Sequence, residues 1–189
     1  MPERPAFPET LSTARLSLRV PTAADGPLMA PLINANLPHL RPWMPWAQVP
    51  LTAEQQSEHM AQAHDRFLRG EDVMYLIFKE ERLIGSSGIH RIDWKVPMGD
   101  IGYWIDHTQQ GHGYVSEVAA ALTELALKPV AAGGLGFARI EIRCDARNDK
   151  SAAVARRLGY TQEARLKHNA RDPQHPEHLR DTLVFARWP

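Results

Sequence analysis

A chain of 189 residues is long enough for one domain with a real core, and 43% apolar against 23% charged residues is ordinary globular composition. Lys plus Arg balances Asp plus Glu at 22 each, so the charge argues for neither nucleic acid nor a membrane surface as partner. The one cysteine, Cys144, excludes an intrachain disulfide and a thiolate metal cluster, and no run approaches the roughly 18 apolar residues of a membrane span. The expectation is a cytoplasmic protein with a single domain over residues 1–189.

The first dozen residues read as loose. Leu16, Leu18 and Val20 alternate with Arg15, Ser17 and Arg19, a half-buried strand that ends at Pro21. Thr22 caps a short helix, limited or kinked by Pro27 and Pro31. A second helix starts near Thr52 and stops at Gly70. Val73 to Phe78 is a continuous apolar run, hence a central strand. Arg82 to Ile92 pairs back onto it through a tight turn near Glu80-Glu81. Ile101, Tyr103 and Ile105 mark a strand from about Met98 to Asp106.

Val115, Val118, Leu122 and Leu125 form one apolar stripe, the clearest helix. Ala138, Ile140, Ile142 and Cys144 alternate with Arg139, Glu141 and Arg143, the cleanest strand. Ser151 to Leu158 is a helix stopped by Gly159. Tyr160 to Leu166 and Thr182 to Trp188 are two last strands, joined by a polar loop from Asn169 to His178. The order β-α-α-β-β-β-α-β-α-β-β mixes helices with hairpins, which predicts an α/β chain with a mixed sheet, not a doubly wound parallel one.

The most informative residues are Gln110, Gly111, His112, Gly113, Tyr114 and Val115, between a strand and the best helix. Two glycines let the backbone turn sharply and approach a ligand, and a helix start offers unpaired N–H groups at its positive end. Together they suit a pyrophosphate. A glycine turn without a ligand uses the same residues. A dinucleotide fingerprint is rejected: Gly111-x-Gly113-x-x-Ser116 follows antiparallel strands at mid-chain, and no acidic residue about 20 positions later awaits a ribose.

Gln110-x-x-Gly113-x-Val115 resembles the acetyl-CoA loop of the GNAT acetyltransferases, Gln/Arg-x-x-Gly-x-Gly/Ala, with valine as a departure. Ile101-Gly-Tyr-Trp-Ile105 resembles the family's fourth strand. Arg139-Ile-Glu-Ile-Arg-Cys-Asp-Ala-Arg-Asn148, with Ser151 and Arg157-Leu-Gly-Tyr160, resembles its fifth strand and following helix. Arg15-Leu-Ser-Leu-Arg19 and Trp43-Met-Pro-Trp46 resemble the branch that acetylates ribosomal-protein N-termini. The likeness spans nearly the whole chain.

That resemblance implies a mostly antiparallel sheet of about seven strands, splayed between the fourth and fifth, with helices on its faces. It implies acetyl-CoA as cofactor, its pantetheine lying in the splay against the backbone of Ile105, Asp106 and His107. The acceptor it implies is a protein N-terminal amine, with a small amine (polyamine, amino acid or drug) or a non-catalytic CoA-binding module as rivals, and a homodimer as a possible assembly. Arg139, Arg143, Arg147, Lys150, Arg156 and Arg157 make a basic neighbourhood suited to phosphates, though surface charges often merely solvate. Asn148 suits the pantetheine amides and equally the N-cap of the next helix.

Acetyl transfer to an amine needs a group to take the amine proton and a donor for the departing sulfur. The resemblance points to Asp100 as base, where the family often has glutamate; an exposed strand-end carboxylate is the plain alternative. A straight strand puts Asp100 roughly 17 Å from Ile105, so a bulge or a file of waters has to close the gap. The family's acid tyrosine, seven residues after the motif asparagine, is replaced by Ala155, which leaves Ser151 as the hydroxyl for the sulfur, or as an ordinary first-turn serine. Trp43 and Trp46 wall an acceptor pocket or plug the core. Nine histidines show no metal spacing, and no metal is expected.

Overall fold

The computed structural model describes residues 4–189. Eight strands form one sheet: β1 (Thr10–Ser12), β2 (Ser17–Arg19), β3 (Val73–Lys79), β4 (Arg82–Asp93), β5 (Met98–Ile105), β6 (Arg139–Asp145), β7 (Thr161–Arg171) and β8 (Leu179–Arg187). Four helices flank it: α1 (Gly26–Leu40), α2 (Ala53–Leu68), α3 (Tyr114–Leu127) and α4 (Asp149–Arg157). The spatial order is β1-β2-β3-β4-β5-β6-β8-β7, antiparallel throughout except between β5 and β6.

β5 and β6 pair only over Met98–Asp100 and Arg139–Glu141. Beyond those residues both strands continue without pairing, so the sheet opens into a V whose closed end is Asp100 beside Glu141. This is the expected splay. Unpaired backbone is costly unless something bonds it, so the opening is a place for a ligand with amide groups.

The period of two along β5 sends Ile101 and Ile105 to one face and Trp104 to the other. Ile101 and Ile105 join Val118, Leu122 and Ala155 of α3 and α4 in the larger core cluster. Trp104 joins Met29, Ile33 and Leu37 of α1, Met60 of α2 and Leu76 of β3 in the smaller one. The two helix pairs therefore cover opposite faces of the sheet.

Three expectations about the elements change. Thr10–Ser12, within the supposedly loose first dozen residues, pairs with β2 and makes the eighth strand. The first helix is not short: α1 runs through Pro31 and Pro38, with Pro27 in its opening turn. Burial of Met29, Ile33, Leu37 and Leu40 along one side supplies what two missing backbone hydrogen bonds withdraw. The polar loop is shorter than expected, since β7 extends through Asn169 to Arg171 and the connection is only residues 172–178. Asp172 organises it by accepting from the Gln174 and His175 N–H groups.

Candidate active site

The V encloses a cleft of 1620 Å³, floored by Ile101 to Ile105 of β5 on one side and Ile142 to Asp145 of β6 on the other. Residues 109–116 close one end, and Asn148, Lys150, Ser151 and Arg157 line it from α4. The loop has the backbone that its glycines anticipate: Gly111 has φ 81° and Gly113, the N-cap of α3, has φ 80°. Nothing lies within 4 Å of where a Cβ of Gly111 would stand, so the chain there faces open space. An anion can reach the first turn of α3 directly, and the cleft fits the pantetheine and pyrophosphate of CoA.

Arg15 holds this loop from the far end of the sequence. Its Nη1 donates to the His112 carbonyl at 3.0 Å and its Nε to Glu117 Oε2 at 2.7 Å, while its guanidinium lies 4.6 Å from the centre of the Tyr114 ring. Thr13 Oγ1 donates to Glu117 as well. Burial pushes the Glu117 carboxyl up, but hydrogen bonds from Thr13 and Arg15 outweigh it and leave it below its ordinary range, so the clamp stays charged. Arg15 reads in sequence as an outward strand residue; only the fold brings it under the loop. Tyr114 is buried, so its side chain anchors the loop and only its backbone faces the anion.

Gln110 links the two sides. Its Nε2 lies 2.6 Å from His39 Nε2 at the end of α1, and Lys150 Nζ donates to its Oε1 at 2.9 Å. Of the basic cluster, Arg143, Lys150 and Arg157 line the cleft. Arg139 and Arg147 are engaged in ion pairs with Glu163 and with Asp145 and Asp172, and Arg156 stacks near Phe185. Asp106 and His107 do not line the cleft, against expectation. The Asp106 N–H donates to Ile84 and the His107 N–H to Asn36 Oδ1 at 2.7 Å, and the Asp106 carboxylate caps the turn that follows.

Ser151 and Asn148 are both at the cleft. Asn148 Oδ1 accepts from the Ser151 N–H at 3.1 Å, the capping half of its two readings, and its amide nitrogen is left for a ligand. Ser151 Oγ lies 3.0 Å from the Tyr103 hydroxyl, which reaches across from β5. Burial pushes the Tyr103 phenol well above its ordinary range, against a smaller opposing effect of the Ser151 bond, so the contact is between two neutral hydroxyls. Burial likewise raises the neighbouring Cys144, which stays a thiol.

Asp100 sits at the closed end of the V, paired in register with His90 on β4 and Glu141 on β6. The bulge that was expected to shorten its path is on β4, between His90 and Asp93, where Arg91 takes φ 50° and its guanidinium ion-pairs with Asp100. β5 itself runs in unbroken register from Asp100 to Ile105. Glu141 is held by Arg139 at 2.6 Å and Arg143 at 3.7 Å. Trp43 and Trp46 line the cleft, with the Trp46 ring tilted against Trp104 at 6.2 Å. Trp46 also walls a side cavity of 340 Å³ that opens beside Gly102 to Trp104 and runs between α1, α2 and the sheet.

An acetyltransferase (GNAT) domain model matches residues 15–161. A ribosomal-protein-serine acetyltransferase of Escherichia coli is 37% identical over 99 residues, 52% of this chain and 52% of that protein, so the alignment spans about half the length of that curated relative. A solved ribosomal-protein alpha-N-acetyltransferase in complex with coenzyme A superposes with a TM-score of 0.85 at 27% identity, over 95% of this chain and 98% of that one. A Salmonella typhimurium acetyltransferase described as modifying the N-terminal serine of a 50S ribosomal subunit protein gives 0.80 at 26% identity, over 94% and 96%. The chain belongs to the GNAT family of acetyltransferases, enzymes that depend on acetyl-CoA.

Proposed function

We propose that this chain acetylates the N-terminal amine of a protein, in the manner of the ribosomal-protein branch. The observation that carries the reading is the hydroxyl pair of Ser151 and Tyr103 beside the splayed strands, with a side cavity opening at Gly102 to Trp104 on the other face of β5. A module that only bound CoA would have no use for either. Acetyl-CoA brings the acetyl group as a thioester. In this reading the α3 start with Gln110 to Val115 holds the phosphates, Lys150 and Arg157 add charge, and Ile105 with Asn148 holds the pantetheine. Ser151 gives the departing sulfur a hydrogen bond, and Trp43 and Trp46 flank the acceptor. The relatives named above supply the acceptor class, and a cytoplasmic site of action agrees with it.

The compact side cavity favours one rival, a small amine, since 340 Å³ lies at the lower end of the roughly 300–1,000 Å³ typical of small-ligand sites. Thiol release from acetyl-CoA separates the two. Peptides beginning with serine or alanine are expected to drive release, with mass spectrometry placing the acetyl group on the terminal nitrogen. Release with spermidine or free amino acids and not with peptides would transfer the assignment to small amines.

A further inference from the structure

His90 stands on β4 in a setting that the acetyl-CoA loop and Ser151 do not explain. Met74, Gly88 and Gly102 form one cross-strand row on the α1–α2 face, and His90 and Asp100 form the next. The glycine row carries no side chains on β4 and β5, and the imidazole lies over that bare floor. A Cβ on Gly102 would come within 3.0 Å of His90 Cδ2, and one on Gly88 within 2.9 Å of Cε1. Alanine at Gly102 would press on the ring, while at Gly88 it would strike the Val73 carbonyl first and the ring next.

The ring is also held at one end. His90 Nδ1 is 2.8 Å from Asp72 Oδ2, just before β3. A carboxylate accepts, so Nδ1 carries the hydrogen, and in the neutral ring Nε2 keeps its lone pair. The β4 bulge divides the carboxylates: Arg91 takes Asp100, and Asp72 remains for His90. Nε2 lies above the two glycines, 3.2 Å from where a Gly102 Cβ would be, and His90 lines both the cleft and the side cavity. Around the same cavity stand His59 and Arg66 of α2. His59 is held below its ordinary pKa by burial and by Arg66, and Asp72 is the carboxylate in contact with the His90 ring.

We infer that His90 is the base that takes the proton from the acceptor amine, with Asp72 as its positioning residue. The inference rests on the acetyl-transfer reading. It places the base over Gly102 on one face of β5 and the Ser151–Tyr103 pair at the next residue on the other face. The acceptor ammonium first gives a proton to His90 Nε2, which frees its lone pair to bond to the acetyl carbon, and the nitrogen's second proton leaves to water as the tetrahedral intermediate collapses. The carbon–sulfur bond breaks, its electron pair leaves on sulfur, and the sulfur takes a proton from the Ser151 side, replenished from water. His90 returns its proton to water. An ammonium acceptor thus loses two protons, one ending on the CoA thiol and one in bulk. Asp100, tied to Arg91, becomes the anchor of the bulge.

The test uses the full chain with acetyl-CoA and two acceptors, a peptide with an N-terminal serine and spermidine. His90→Gln is expected to lower kcat about a hundredfold near neutral pH with unchanged acetyl-CoA affinity, and the deficit should shrink as the acceptor loses its own proton in water. His90→Ala, which leaves a ring-sized space over the glycines, should recover part of its rate with added imidazole. Nitrogen-15 NMR of the imidazole reads the pairing without turnover. The Nδ1–H tautomer is expected in the wild type, and Asp72→Ala, which removes the acceptor, should abolish that preference and lower kcat. Wild-type kcat and pH profile in His90→Gln, or an Nε2–H tautomer in the wild type, would overturn the assignment while acetyl transfer stood. No transfer by the wild type to either acceptor would sink the acetyl-transfer reading and the base with it.

Discussion

The Tyr103 hydroxyl on β5 meets Ser151 Oγ on α4 at 3.0 Å, across the open V. A tyrosine thus stands near the sulfur's expected place even though Ala155 occupies the family's tyrosine position. Ser151 also lies at the first turn of α4, where its N–H is already capped by Asn148, so its hydroxyl is not needed for the helix. Ser151→Ala is expected to cut kcat by roughly a hundredfold with little change in acetyl-CoA affinity, the mark of an interaction made mainly in the transition state. Tyr103→Phe removes one orienting hydrogen bond and should cost about fivefold, near 1 kcal/mol. Steady-state kinetics with calorimetry on both variants checks this. A fall in affinity with kcat preserved would make Ser151 a binding group.

Gly113→Val tests the loop. The added side chain meets only Arg15 Nη2, at 3.6 Å, so space is not the obstacle. The obstacle is φ of 80°, which costs a non-glycine residue about 1–2 kcal/mol and a β-branched one more. Relaxing that strain turns the first N–H groups of α3 away from the anion. The variant should stay folded, because the core face of α3 is untouched, and should lose acetyl-CoA binding in calorimetry. Full affinity in a folded Gly113→Val protein would remove the loop from the site.

What was legible in the sequence was whatever repeats with a local period. β6 shows because Ile140, Ile142 and Cys144 of the core cluster alternate with charged residues, although Glu141 and Asp145 are buried as well. The loop shows because only glycine sits easily at φ near 80°. The parts that stayed hidden depend on contacts between distant segments. β1 is three residues with no alternation to read and exists by pairing with β2. α1 contradicts its own prolines because tertiary burial outweighs propensity. Arg15 reaches Glu117 and Asp72 reaches His90 across many residues, and no spacing rule joins them. The family resemblance sets the Asp106 backbone against the cofactor, whereas its N–H donates to the Ile84 carbonyl and its side chain turns inward to cap the next turn.

That inward turn makes Asp106 a stability residue. It is 3% exposed and accepts from the Thr108 N–H at 3.1 Å, from Asn36 Nδ2 at 3.4 Å and from Arg82 at 2.8 Å. Asn36 in turn accepts from the His107 N–H, so one carboxylate orders the start of the loop. Asp106→Ala should cost about 2 kcal/mol, since it takes an acceptor from the buried Asn36 amide and the cap from the Thr108 N–H. Urea unfolding with an unchanged m-value measures it. A variant as stable as the wild type would show that water replaces the carboxylate.

The last prediction concerns pH. Burial lowers the pKa of His39, with help from the nearby Lys150 and His107 side chains, and burial followed by Arg66 lowers that of His59. Both rings resist protonation in the folded chain, while the unfolded chain takes up these protons near the ordinary 6.5. The unfolded state therefore binds more protons below that pH, and stability must fall as pH drops through 6.5 and be steady above it. Carboxylates held below their ordinary range, such as Asp145, add their own loss only nearer pH 4, so the window between isolates the histidines. His39→Gln and His59→Gln should each flatten the melting temperature across that window. His39 carries a second consequence. Lys150 donates to Gln110 Oε1, so the Gln110 amide nitrogen is the donor to His39 Nε2, a bond only neutral His39 can accept. Acid should therefore release Gln110 and shift acetyl-CoA affinity in the wild type more than in His39→Gln. Calorimetry at pH 7.5 and pH 5.5 reads the difference, and equal shifts in the two proteins would show that Gln110 does not answer to His39.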